Sequence, residues 1–139
     1  MFSRKEDWPV RLHHYIESIH DRKFAYGAFD CGLFAAACIE AMTGEDFASE
    51  LRGYTSAREA MEAIKRVCGS ASIRKLGEYI AAKHGLKEVP VLMAQRGDLA
   101  IVKNLRFGIV ALTGTEIYVP AKQGIMRVPL THATKAYRV

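Results

Sequence analysis

The chain has 139 residues, 50% of them hydrophobic, and its 20 Lys+Arg against 15 Asp+Glu give a net charge of +5. That length builds one domain with a proper core and is short for two, so a single domain over residues 1–139 is expected. It holds no apolar run of about 18 residues, and Met1-Phe2-Ser3-Arg4-Lys5-Glu6-Asp7 turns charged where a secretion signal would turn apolar, so neither a membrane span nor a leader is expected.

The first helix is expected to open at Asp7-Trp8-Pro9, with Pro in the first turn and Leu12, Tyr15, Ile16 and Ile19 on one face. His13 and His14 point about 100° apart on such a helix and cannot both face one metal. These two and His20 read as surface or packing residues. The chain leaves the helix through an aromatic and glycine loop, Lys23-Phe24-Ala25-Tyr26-Gly27-Ala28-Phe29.

The stretch Asp30 to Gly44 has both helix ends marked, with Asp30 as N-cap and Gly44 at the left-handed C-terminal position. Cys31 falls in its first turn, where unpaired N–H groups and the helix dipole favour thiolate, while the neighbouring Asp30 carboxylate opposes it. The same cysteine also reads as a small core residue under Tyr26 and Phe29. Cys38, two turns on, lies roughly 10 Å away, beyond disulfide reach. Three cysteines without a C-x-x-C pair argue against a disulfide scaffold or a zinc site. Neither a metal nor any other cofactor is expected.

Residues 45–54 read as one helical turn and a loop. Ser56-Ala57-Arg58-Glu59 is a capping box that opens a third helix ending near Cys68-Gly69, with Cys68 expected in the core. A fourth runs from about Ser72 to His84, with Ile73, Leu76, Tyr79 and Ile80 as its stripe and Gly85 as its stop. The helical part thus spans about 8–85. From Val89 onward the periodicity changes. Leu99–Val102, Phe107–Leu112, Glu116–Val119 and Met126–Leu130 are β-rich runs separated by turn residues, with a last strand at Ala136–Val139. The β part spans about 97–139. Helices first and a mostly antiparallel sheet second make an α+β fold, the N-terminal helices packed on a small C-terminal sheet. Arg96-Gly97-Asp98 spells an adhesion tripeptide and reads as a turn leading into a strand. Tyr118, Tyr137 and Phe107 read as core aromatics before ligand groove. The basic residues form scattered doublets without a basic, aromatic-interleaved stripe, so nucleic acid is not an expected partner.

Tyr26-Gly27-Ala28-Phe29-Asp30-Cys31, then Arg96-Gly97-Asp98-Leu99 and Phe107-Gly108-Ile109-Val110, resemble the pattern of NlpC-like cell-wall cysteine peptidases, a small papain-like fold. Thr43-Gly44-Glu45-Asp46, Arg52-Gly53-Tyr54 and Tyr137-Arg138-Val139 are similar to a divergent branch encoded in bacteriophage tail modules. The resemblance runs from about Trp8 to the end. It implies Cys31 as nucleophile and puts the base histidine and the third polar residue where this chain has Arg106 and Pro120. Neither a guanidinium nor a proline can take a thiol proton and return it to a leaving amine. His132, His13 or His84 would have to supply the base from elsewhere, and His132 is the candidate named here; sequence distance neither places nor excludes any of them.

Two functions follow as expectations. One is a structural or assembly component of a phage tail, near the tail tip, with a peptidase-like fold and a vestigial Cys31. Its partners are other tail and hub proteins, and its location the virion tail after synthesis in the host bacterial cytoplasm. The other is an active cysteine peptidase or amidase that cuts peptidoglycan peptides as the genome is delivered. A small regulatory binding module is a third reading, for which only the net charge speaks.

Overall fold

The computed structural model describes residues 2–139. Four helices come first: α1 (Trp8–Ile19), α2 (Cys31–Thr43), α3 (Ala57–Cys68) and α4 (Ile73–His84). Local chemistry fixes their ends. Asp30, Ser56 and Ser72 accept from Leu33, Glu59 and Lys75 N–H groups, and Gly44, Gly69 and Gly85 take the left-handed C-terminal position. Asp7 departs from the expected pattern. Its carboxylate makes no cap bond and pairs instead with Arg11 one turn on, at 2.6 Å.

The helix α2 is apolar on all sides and buries Leu33, Phe34, Ala35, Ala36, Cys38, Ile39 and Met42. Such a helix has to sit inside, and it does, between α1 and the sheet. The third helix is its opposite. It is strongly amphipathic, yet only Ala63 is fully buried, and it packs chiefly on α4. Residues 45–54 contain no helix; the Asp46–Arg52 ion pair (2.9 Å) folds them into a compact loop.

The sheet comprises β1 (Lys87–Val89), β2 (Leu99–Val102), β3 (Arg106–Val110), β4 (Glu116–Ala121), β5 (Gly124–Pro129) and β6 (Ala133–Arg138), in the order β1-β6-β2-β3-β4-β5 and antiparallel throughout. The chain is therefore α+β, helices first and sheet second, as expected. Leu99, Ile101, Phe107, Ile109 and Tyr118 face the helices. Ala100, Val102, Val110, Ile117 and Val119 face the reverse side, where Val91, Ala94 and Leu130 cover them. Burial on both faces explains why these strands read as continuous apolar runs rather than alternating ones. Tyr118, Tyr137 and Phe107 are core residues. Cys68, in contrast, is only half-buried, and its thiol donates to the Ser70 carbonyl.

The Arg96-Gly97-Asp98 turn leads into β2, and Asp98 is wholly buried. Its carboxylate accepts from Arg4 (3.0 Å), Arg138 (2.9 Å), Gln95 N–H (2.8 Å) and Val139 N–H (3.2 Å). One side chain thus ties the stretch before α1 and the end of β6 to the start of the central strand. A carboxylate so enclosed cannot serve as an adhesion tripeptide.

Candidate functional site

The site is built outward from the start of α2. Asp30 Oδ1 accepts from Leu33 N–H at 2.9 Å, while Oδ2 accepts from Gly27 N–H at 2.9 Å and from the Tyr54 hydroxyl at 2.5 Å. Tyr54 comes from the loop after α2, so the cap joins two segments that sequence alone leaves unrelated. Burial and the Asp30 contact push the Tyr54 phenol well above its ordinary range, which keeps it a donor. Gly27 completes the joint. Its φ is +78°, and a Cβ there would stand 1.8 Å from the Tyr54 carbonyl oxygen, so only glycine lets the aromatic loop approach.

Removing Asp30 takes away a helix cap and leaves the half-buried Tyr54 hydroxyl without its acceptor. Asp30→Ala is expected to lower the unfolding free energy by about 2–3 kcal/mol and Tyr54→Phe by about 1 kcal/mol. Denaturant melts of both and of the double variant check this, and the double variant should cost less than the sum.

Above Cys31 opens a cleft of about 790 Å³. One wall is helical, with Ala57, Ala60, Met61 and Ile64 of α3 and Ile73 and Leu76 of α4. The other is the end of the sheet, with Leu105, Arg106, Phe107, Pro120 and Lys122. The hydrogen-bonded register of β3 with β4 is Val110↔Ile117 and Ile109↔Tyr118; Pro120, without an N–H, cannot extend it toward the cleft. The turn that delivers Leu105 and Arg106 has Lys103 at φ +53° and Asn104 at φ +59°. The backbone strain this implies for Lys103 is held by bonds from Lys103 N–H to the His132 carbonyl and from Thr134 Oγ1 to Asn104 Oδ1.

The fold therefore gathers Cys31, Arg106 and Pro120, the three positions singled out above, around one opening. The Cys31 thiol is pushed up to about 11, first by burial and further by the Asp30 charge. Backbone N–H groups of Phe107 and Gly32 and the Arg106 charge pull the other way and do not overcome burial. The helix-terminal position thus fails to activate this cysteine.

No histidine is among the described residues lining the cleft. His132 lies in the short turn Leu130–His132, whose Leu130 packs on the reverse face of the sheet, so it is not brought to Cys31. His84 stacks on Phe2 at 4.5 Å, and His13 and His14 are exposed on α1. Asp30 is the one carboxylate in the lining. Its oxygens are occupied by the cap, and its charge disfavours a thiolate next door. Nor do the described residues hold a cluster of three or more metal-ligating side chains, and no helix is long and apolar enough to cross a membrane.

Fold and site define an α+β protein with a cysteine-bearing, largely apolar cleft between α3 and the end of its sheet. The chain belongs to the family described as Domain of unknown function (DUF6950), which matches residues 3–139. No curated protein matches it.

Proposed function

We propose that this protein is a structural or assembly component of a bacteriophage tail, at the tail tip, with an NlpC-like, papain-type fold that has lost its hydrolytic machinery. One observation carries the loss of hydrolysis: the cleft at Cys31 is lined by a guanidinium and a proline, and by no histidine among the described residues, where a cysteine peptidase needs an imidazole. The tail role rests on the resemblance of Thr43-Gly44-Glu45-Asp46, Arg52-Gly53-Tyr54 and Tyr137-Arg138-Val139 to phage tail proteins. These motifs have concrete work in the fold. Gly44 ends α2, Asp46 pairs with Arg52, Tyr54 holds the α2 cap, and Arg138 clasps Asp98. Each braces the scaffold, and none adds a reacting group. Partners in this reading are the neighbouring tail and hub proteins, and the location is the virion tail.

An active peptidase or amidase on peptidoglycan peptides is the competing reading, favoured by the placement of Cys31 on a cleft of substrate size. It needs a proton acceptor within hydrogen-bond reach of the thiol, which the lining does not supply.

Complementation separates them. A phage lacking this gene is expected to give defective tails, and Cys31→Ala supplied in trans is expected to restore infective particles fully, with the protein detected in purified virions. Rescue by wild type but not by a folded Cys31→Ala would sink the non-hydrolytic reading. Intact virions without the protein would sink the tail assignment.

A further inference from the structure

We propose that the cleft binds an acyl chain with an anionic head, the head at Arg106 and Lys122 and the chain along the apolar face of α3. The inference stands on the cleft alone and does not depend on the tail role.

Charge places the head. Arg106 and Lys122 are the cations in the lining, and among the described residues neither has a carboxylate within ion-pair distance. They stand at strand ends that face each other. Arg106 opens β3, and Lys122 follows Ala121 at the close of β4, the strand antiparallel to it. Asp30, the carboxylate nearby, is already satisfied by three donors.

The apolar face of α3 places the chain. Ala57, Ala60, Met61 and Ile64 all turn to the cleft, and Met61 is 53% exposed there. Across from them Leu105 is 70% exposed. A strongly amphipathic helix that leaves its apolar stripe facing open space of this volume has the form of a ligand pocket, mostly apolar with a few convergent polar groups.

The polar inventory favours a single-headed chain over a peptide. A peptide brings an N–H and a C=O with each residue, and each needs a partner when buried. Along the trough few side-chain partners are on offer, and several are engaged. The Ser72 hydroxyl caps α4, Asn104 Oδ1 accepts from Thr134, and the Tyr54 hydroxyl donates to Asp30. The charged side chains of the lining left without an ion-pair partner among the described residues are both cationic, Arg106 and Lys122.

The test is calorimetric titration with dodecanoate below its micelle-forming concentration, with dodecyltrimethylammonium as the same chain under the opposite charge. The expected result is saturable one-to-one binding of the carboxylate, weaker by about tenfold or more for the ammonium and for the Arg106→Glu/Lys122→Glu protein. Ala60→Phe, which fills the trough without changing charge, is expected to abolish binding, and Met61→Gln at an exposed position to weaken it. Melting curves confirm that each variant is folded. Phosphatidylglycerol vesicles separate the sources: binding of free dodecanoate assigns a detached chain, and vesicle binding lost in Ala60→Phe assigns the chain of an intact lipid. The proposal is overturned if folded protein binds neither, if head charge makes no difference, if Ala60→Phe and Met61→Gln bind as wild type does, or if an acidic apolar peptide binds where dodecanoate does not.

Discussion

Replacing Asp98 with alanine is expected to lower the unfolding free energy by about 3–5 kcal/mol, the range for breaking a buried ion pair from one side. The carboxylate is wholly buried and accepts from two guanidiniums and two backbone N–H groups. Without it, Arg4 and Arg138 face each other across the same space with nothing between them, and the Gln95 and Val139 N–H groups lose their acceptor. Asp98→Asn keeps the volume and part of the hydrogen bonding and is expected to cost less. Arg4→Met should cost less again, since the Arg4 side chain keeps 17% exposure and an apolar replacement leaves no orphan charge of its own. Urea unfolding followed by Trp8 fluorescence measures all three. Trp8 is the one tryptophan, and the Arg4 guanidinium lies 4.3 Å from its ring centre, so it reports on the clasp directly. A loss below about 1 kcal/mol for the alanine variant would mean that the clasp is not what joins these segments.

The same residues show what a sequence discloses and what it withholds. The ends of α2, α3 and α4 were readable because a cap is decided within four residues, as Ser56 to Glu59 and Ser72 to Lys75 show. The sheet was readable except at its margins. Lys87-Glu88-Val89 is a three-residue edge strand with neither alternation nor an apolar run, and it pairs with Ala136–Arg138 from the far end of the chain. Ala133 belongs to β6 because Val102 of β2 is there to pair with it, and Thr134 falls at the register shift between that pair and Ile101↔Lys135; neither is there for any propensity of its own.

At the site, Cys31 was legible as the residue to watch, through its position after a helix cap. Its chemistry was not, because burial by distant segments outweighs the local helix terminus. Tyr54 was noted only within a motif. Its bond to Asp30 spans a loop whose path depends on the Asp46–Arg52 pair, and a lone tyrosine after a glycine was the only signal. The cleft wall of α3 was hidden for a similar reason. An amphipathic stripe announces that a helix face is apolar, but whether another element covers that face is a tertiary matter. His132 shows the converse. A histidine in a strand-rich segment invited a catalytic reading, and the turn Leu130–His132 instead passes over the reverse face of the sheet.

The fold holds the Cys31 thiol above its ordinary range with no histidine beside it among the described residues. With the thiol pushed up to about 11, against about 8.5 for a free cysteine, the thiolate fraction near neutral pH falls by about 300-fold. A group whose folded value lies above its unfolded one contributes stability that is complete below the unfolded value, near 8.5, and is lost as pH rises through about 11. Wild type should therefore lose more stability over that window than Cys31→Ala does. The direct measurement is the iodoacetamide rate at Cys31 as a function of pH, with Cys31→Ala subtracting Cys38 and Cys68. Alkylation is expected to run about 300-fold slower than that of a free thiol at neutral pH, rising with an inflection near 11. A fast reaction at neutral pH with an inflection well below 8.5 would show an activated thiolate and contradict the proposed non-hydrolytic reading.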